Sequence, residues 1–244
     1  MRASKCAGGL HTGPLTDPHM QYKVSIQVKW HGINGYADFS QGGGKMKVLR
    51  TLGLLCTALV VTWSSIQPWL PEVQLPPERI AQKGYSLVSL NEKGWRIVER
   101  NAYQLALAKR GENTDETMAI QVILFRLPVF KTNEEFLRLI QEGQVKDTDP
   151  QRFKIMQHEV TTYRTKGTDC AKSHIAVEDR DAVKRSGKPG DMVLEIMALT
   201  CAHPKDKNFG ISIIYSQRYY SEQRDSAFVE KAMSVLHSIE FTDL

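Results

Sequence analysis

Two cysteines and two histidines in the second half of the chain have the residue types that metal or thiol chemistry needs. Cys170 is followed by His174, and Cys201 is followed by His203. Thiolate and imidazole are preferred ligands of tetrahedral zinc, and a thiolate beside a histidine can serve as a nucleophile. The same cysteines, 31 positions apart, can instead form one disulfide. The spacing therefore leaves three states open: a disulfide, a zinc site and free thiols.

A carboxylate interrupts the most apolar strand-like segment of the chain. Glu195 lies within the apolar run 192–199, and burying a carboxylate there is unfavourable unless it has a partner. If this run forms a hairpin with residues 209–220, Glu195 faces Ser216 or Gln217. We interpret Glu195 either as part of a structural ion pair or as part of a small polar binding pocket. The residues of that predicted pocket are Glu195, Gln217, Arg218 and Tyr219.

The sequence contains none of the common catalytic motifs. G-x-S-x-G, H-E-x-x-H, the Walker loop and the dinucleotide fingerprint are all missing. His158 and His174 are isolated on predicted strands, and no nucleophile is predicted beside Glu195. We therefore expect no catalytic residue, no metal and no cofactor, and a protein that is not an enzyme. The alternative is a thiol- or zinc-dependent enzyme that uses Cys170 and Cys201 with a histidine.

An apolar segment ahead of the predicted domain has the layout of an export signal. Residues 46–50 carry two basic side chains, Lys47 and Arg50. A mostly apolar run follows over 51–63, and then Ser64 and Ser65. The apolar stretch to about Ile66 is shorter than the roughly 20 residues of a membrane span. This favours a signal peptide that consists of residues 46–64 and is cleaved after Ser64. We expect a periplasmic or secreted protein. The alternative is an inner-membrane anchored interaction protein that uses residues 46–66.

The segments on either side of this signal are predicted to lie outside the folded domain. A signal in the middle of a chain is unusual, so we predict that translation starts at Met46 and that residues 1–45 are a mis-assigned, disordered upstream extension. Residues 65–83 hold four prolines and few core residues, and are predicted to form an extended tether. A single domain then spans 84–244. Export favours the disulfide, because oxidising compartments stabilise such bonds.

Hydrophobic periodicity predicts a domain rich in strands, with two helices. The strands are predicted at 85–90, 95–100, 103–109, 118–127, 153–163, 173–183, 192–201 and 209–220.

The first predicted helix begins with a capping box over 132–135 and ends at Gly143. The second begins near Glu222 and presents one apolar face to the sheet. That face consists of Phe228, Ala232, Val235, Leu236 and Ile239. Because the strands run consecutively, we expect an α+β fold with a mostly antiparallel sheet covered by helices.

The net charge of +5 belongs entirely to the first 65 residues. Residues 66–244 carry 25 basic and 25 acidic side chains, from totals of 32 and 27 less seven and two in the leader. A neutral domain offers no general attraction for a phosphate backbone, so we expect no nucleic-acid partner. The basic run 184–188 is interpreted as a solvated loop.

Three short motifs resemble those of the Mog1/PsbP-like superfamily. They are Gly94-Trp95 after the first strand, Asn133-Glu134-Glu135-Phe136 at the start of a helix, and the terminal segment 235–241. The resemblance covers residues 84–243. It implies a layered sandwich of helices and sheet, and a non-catalytic, often exported domain that binds a protein partner or helps to assemble a membrane complex. The family supplies no catalytic residue.

Overall fold

The computed structural model describes residues 70–244, which form ten β-strands and two α-helices. The strands are β1 Ile80–Gln82, β2 Tyr85–Leu87, β3 Arg96–Arg100, β4 Gln104–Arg110, β5 Thr117–Arg126, β6 Phe153–Thr165, β7 Thr168–Asp179, β8 Met192–His203, β9 Asp206–Tyr220 and β10 Glu240–Phe241; the helices are α1 Asn133–Lys146 and α2 Phe228–His237.

Seven of the strands form one large sheet. Its order is β3-β4-β5-β9-β8-β7-β6, and β1, β2 and β10 form a separate small sheet. Every strand pair in both sheets is antiparallel. The predicted α+β fold with a mostly antiparallel sheet is therefore confirmed.

The large sheet has one helix on each face. Successive side chains of a strand point to opposite faces, so the two sets can be told apart by their contacts. On the α2 face, Phe228 of α2 packs against Tyr215 of β9, with ring centroids 5.4 Å apart. On the α1 face, the amide of Gln144 donates to Ser173 Oγ of β7 at 2.9 Å. The main core lies on the α2 face, where the predicted apolar side of α2 is buried.

Helix α1 begins where predicted but extends beyond Gly143. Thr132 caps its start, because Thr132 Oγ1 accepts a hydrogen bond from the Glu135 amide at 3.2 Å. The predicted end at Gly143 is wrong, since the helix continues to Lys146. The extra residues are held because Gln144 is buried and bonded to β7. Tertiary contact outweighs the weak helix propensity of glycine there.

Three other predicted element ends are also wrong. The strands predicted at 192–201 and 209–220 lie closer together than expected, because β8 runs through His203 and β9 starts at Asp206. The second helix starts at Phe228, because residues 221–223 form a 3-10 turn and Arg224 is extended.

The domain begins earlier along the chain than residue 84. The Val73 amide donates to the Trp95 carbonyl, and the Ile97 amide donates to the Pro71 carbonyl, both at 2.8 Å. Strand β1 adds a ladder to β2. The described part of the predicted tether is therefore paired with the domain through its backbone. The predicted upstream extension, the predicted signal peptide and residues 65–69 lie outside the described residues. Within 70–244, no helix has the length and apolar content to cross a membrane.

Candidate functional site

A row of mostly polar residues crosses the α2 face of the large sheet. Register places Lys109 opposite Met118, Met118 opposite Gln217, and Gln217 opposite Glu195. Of the two partners predicted for Glu195, the structure selects Gln217. The row therefore runs across four adjacent strands, β4, β5, β9 and β8, and ends at Glu195.

Glu195 is a buried carboxylate with four hydrogen bonds. Arg224 donates to both of its oxygens at 2.7 Å, as a fork. The Tyr219 hydroxyl donates to Oε2 at 2.8 Å, and His174 Nε2 lies 2.8 Å from Oε1. Burial alone would raise the pKa of Glu195, but the bonds from Arg224, His174 and Tyr219 outweigh it and hold the pKa below its usual value. Glu195 is thus a fully satisfied anion that anchors Arg224.

Arg218 does not belong to this cluster. It follows Gln217 in the strand and therefore points to the opposite, α1 face of the sheet. There Arg218 Nη2 lies 2.8 Å from Asp179 Oδ2, and Arg152 binds the same carboxylate at 2.8 and 3.0 Å. The prediction that Arg218 belongs to the polar pocket around Glu195 is therefore corrected. Arg224 takes that place, and sequence reasoning missed it because it had assigned residue 224 to a helix.

Gln217 connects the row to a carboxylate at the surface. Its Nε2 donates to Glu116 Oε1 at 2.5 Å, while its Oε1 is buried and has no hydrogen-bond partner. Because Gln217 is only 1 % exposed, its amide holds Glu116 in a fixed position. No sequence signal links residue 116 to residue 217.

The segment 221–227 is fastened to the sheet and to two neighbouring loops. Besides the fork between Arg224 and Glu195, Asn113 Nδ2 donates to Gln223 Oε1 at 2.9 Å. Lys188 Nζ lies 2.7 Å from Glu222 Oε1. We refer to residues 221–227 as the latch loop.

The latch loop forms one wall of a surface cleft. The cleft has a volume of about 570 Å³ and lies between the β2–β3 loop, the β4–β5 turn, the latch loop and α2. Its lining residues are Glu92, Lys109, Arg110, Gly111, Glu112, Asn113, Glu116, Met118, Gln223, Asp225 and Lys231.

Ion pairs join several of the cleft residues into a chain. Lys109 Nζ lies 2.7 Å from Glu92 Oε2, and Lys231 Nζ lies 3.2 Å from Glu92 Oε1 and 2.8 Å from Asp225 Oδ2. The bond to Asp225 and the contact with Glu92 raise the pKa of Lys231 above its usual value. These charges are fixed on one another, whereas Arg110 and Glu112 lie at the exposed rim.

A second buried carboxylate, Asp115, fastens the basic loop 184–188. Asp115 Oδ1 accepts from the amides of Arg185 and Ser186 at 2.5 and 2.8 Å. Its Oδ2 accepts from the Ser186 hydroxyl, and from the Tyr220 hydroxyl at 2.8 Å. Burial opposes ionisation, but these bonds prevail and lower the pKa of Asp115 to about 2.

The cysteines and histidines of the predicted zinc or thiol site are engaged separately. The Cys170 and Cys201 sulfurs are joined as a disulfide, at directly opposed positions of β7 and β8. His174 contacts Glu195, while His203 Nε2 lies 3.0 Å from the Gly84 carbonyl oxygen. Over residues 70–244, no three metal-binding side chains come together.

Solved structures include chains that are loosely similar to this one. No family model matches the sequence, and no curated protein matches it. A solution structure of cyanobacterial PsbP (CyanoP) from Synechocystis sp. PCC 6803 is similar over 68 % of this chain and 92 % of that chain, with 16 % identity and a TM-score of 0.39. The chain thus has a loose PsbP-like resemblance in structure.

Proposed function

We propose that this domain is a non-catalytic binding module that recognises a protein partner, or assists the assembly of a complex, through its cleft. The observation that supports this most is the charge of the cleft, which seven ionisable side chains of both signs line. Pockets for small molecules are mostly apolar. Mixed charges at an open surface suit the complementary charges of a polypeptide partner.

In this proposal, the Glu195 cluster shapes the cleft rather than performing chemistry. All the hydrogen bonds of Glu195 come from within the domain, and its fork to Arg224 positions the latch loop. Gln217 plays the same part for Glu116, and Tyr219 supports Glu195. These three residues of the predicted pocket therefore act as positioning residues for a binding surface.

We also propose that the protein is exported and works in the periplasm or outside the cell. The signal-like segment 46–64 and the disulfide support this location. An uncleaved segment 46–66 would instead give a membrane-anchored interaction protein. The packing of α1 and α2 on opposite faces supports a layered sandwich of the Mog1/PsbP-like kind as a further part of the proposal.

The alternative of a thiol- or zinc-dependent enzyme is not favoured by any contact of the site. Catalysis by Cys170 or Cys201 requires a thiolate, whereas both sulfurs are joined to each other.

A photo-crosslinking amino acid placed at position 112 tests the proposed binding site. The exposed residue Glu112 lines the cleft, and Val129, 83 % exposed at the other end of the sheet, is the control position. With the full chain expressed in the cells that make it naturally, we expect a discrete crosslinked product from position 112 and none from 129.

Charge reversal at the rim then tests whether the product depends on recognition. Arg110→Glu in the crosslinking chain is expected to reduce the yield of the crosslinked product about fivefold. A partner side chain that complements the charge of Arg110 would meet like charge in this variant. Arg138→Glu on the exposed side of α1 is the matched control and is expected to have no effect. Equal products from both positions, or a yield that Arg110→Glu leaves unchanged, would reject the cleft as the binding site.

A further inference from the structure

The two edges of the large sheet are protected very differently. At one edge, β3 has five residues, and the backbone of Pro71 and Val73 bonds to its outer side. At the other edge, β6 has 13 residues and pairs, within the described part of the chain, with β7 alone. A long edge strand presents a row of backbone donors and acceptors to any extended segment.

The backbone groups that face outward on β6 follow from the ladder pattern. Cys170 and Cys201 have Cα atoms 4.2 Å apart, the short spacing of a pair that exchanges no backbone hydrogen bonds across β7 and β8. The backbone groups of Cys170 therefore point towards β6, where its partner is Tyr163. Because the pattern alternates, the N–H and C=O groups of Val160 and Thr162 point out to the open edge.

The usual devices that block an edge are limited on β6. A bulge occurs near the start of the strand, between Ile155 and Gln157. Residues 157–165 contain no proline, glycine or lysine. Arg164 Nε lies 3.8 Å from Asp169 Oδ1 of β7, so the charge of Arg164 is paired with a carboxylate of the same sheet. Nine consecutive residues thus form a regular, unblocked edge.

One charge on this edge has no ion pair among residues 70–244. Glu159 is exposed and lies opposite His174, whose ring bonds to Glu195 instead. A strand added beside β6 would place one of its side chains next to Glu159 on the α2 face. Opposite charges in such cross-strand pairs stabilise the pairing, and like charges weaken it.

We propose that β6 is a docking edge for an extended segment of a protein partner that carries a lysine or arginine opposite Glu159. The backbone of Val160 and Thr162 supplies the hydrogen bonds, and Glu159 supplies the preference for a cation. This surface is separate from the cleft, so the inference goes beyond the proposed function.

Hydrogen exchange of the full chain in the presence of defined peptides tests the docking edge. The probe is a blocked seven-residue peptide of alternating threonine and valine with lysine at its centre, and its twin has glutamate there. We expect the lysine peptide to slow exchange over residues 157–165 and the glutamate peptide to bind about fivefold more weakly. The amides of α2 are expected to exchange unchanged.

Backbone and charge variants identify the contacts. Thr162→Pro removes one outward N–H and leaves the ladder to β7 intact, so protection by the peptide should disappear while the fold persists. Thr162→Val, which keeps that N–H, should retain the protection. Glu159→Lys should reverse the peptide preference, and this test remains available if the proline variant fails to fold.

Several outcomes would overturn the docking edge. They are a lack of protection with either peptide, protection that survives in Thr162→Pro, and a peptide preference that Glu159→Lys does not change. A dimer of the full chain that Thr162→Pro dissociates would assign the edge to a second copy and reject a separate partner. We expect crosslinking from position 112 to be unchanged by these variants, so that the two proposals can fail independently.

Discussion

At the scale of single residues, Asp115 shows how one buried carboxylate can order a polar loop. Its four hydrogen bonds connect the β4–β5 turn to residues of the loop 184–188 and to Tyr220. Hydrogen bonds to a charged acceptor are stronger than neutral ones, so Asp115 is expected to contribute more to stability than its neighbours in the turn.

We predict that Asp115→Asn destabilises the protein by about 2 kcal/mol at pH 7, because charge-assisted hydrogen bonds are lost. The pKa of Asp115 is lowered from 3.8 to about 2 on folding, so the contribution is complete above about pH 4 and is lost as the pH falls through 2. The difference between variant and parent should therefore shrink from pH 4 to pH 2. Urea unfolding at pH 7, 4 and 2 measures it.

The control for this prediction is Asp149→Asn in an exposed turn, where a change below about 0.5 kcal/mol is expected. A constant difference between Asp115→Asn and the parent at all three pH values would contradict the prediction.

Residue contacts could be predicted from sequence only where strand pairing implied them. Gln217 opposite Glu195 follows from one hairpin, whose alternation places both on one face. The contacts from Asp115 to Ser186 and from Gln217 to Glu116 join residues far apart in the chain. No local periodicity connects such residues, so their meeting depends on the completed fold.

At the scale of elements, the internal residues of helices and strands were easier to predict than their ends. The strands 95–100 and 118–127 were placed to within a residue or so, because their apolar patterns are continuous. The extra turn of α1 and the short turn between β8 and β9 depend on tertiary contacts. Glycine is a conditional signal, since it ends a helix only where a positive φ is needed.

Gly143 and Gly190 give a matched test of this principle. A Cβ added at either position would meet no atom within 4 Å, but only Gly190 has a positive φ, of 100°. Gly143→Ala should stabilise the protein by about 0.5–1 kcal/mol, because alanine favours the helix and restricts the unfolded chain. Gly190→Ala should destabilise it by about 1 kcal/mol or more, through backbone strain. Denaturant unfolding of both variants decides the matter, and changes of the same sign would contradict it.

At the scale of the whole molecule, the fold class could be predicted and the small sheet could not. Long consecutive strands imply an antiparallel sheet, and amphipathic helices must cover it. Strand β2 lies within the predicted strand 85–90, but β1 and β10 have only three and two residues, too few to show a period. Their pairing brings the end of the chain back to Gly84, whose carbonyl accepts from the Thr242 amide at 3.0 Å.

The disulfide acts on the molecule as a whole, because it limits the unfolded chain more than it adds contacts to the folded one. Cys170 and Cys201 are buried at opposed positions of adjacent strands, and their bond closes a separation of 31 residues. The chain-entropy model gives a stabilisation of about 3–4 kcal/mol for such a loop.

We predict that Cys170→Ser, Cys201→Ser and the double variant lower the thermal midpoint of the oxidised protein by similar amounts, since each removes the same link. Calorimetry of the three variants, beside the parent with and without reductant, measures the effect. Midpoints equal to that of the oxidised parent in all three variants would show that the bond does not stabilise the fold, and strictly additive single effects would show that the two residues act separately.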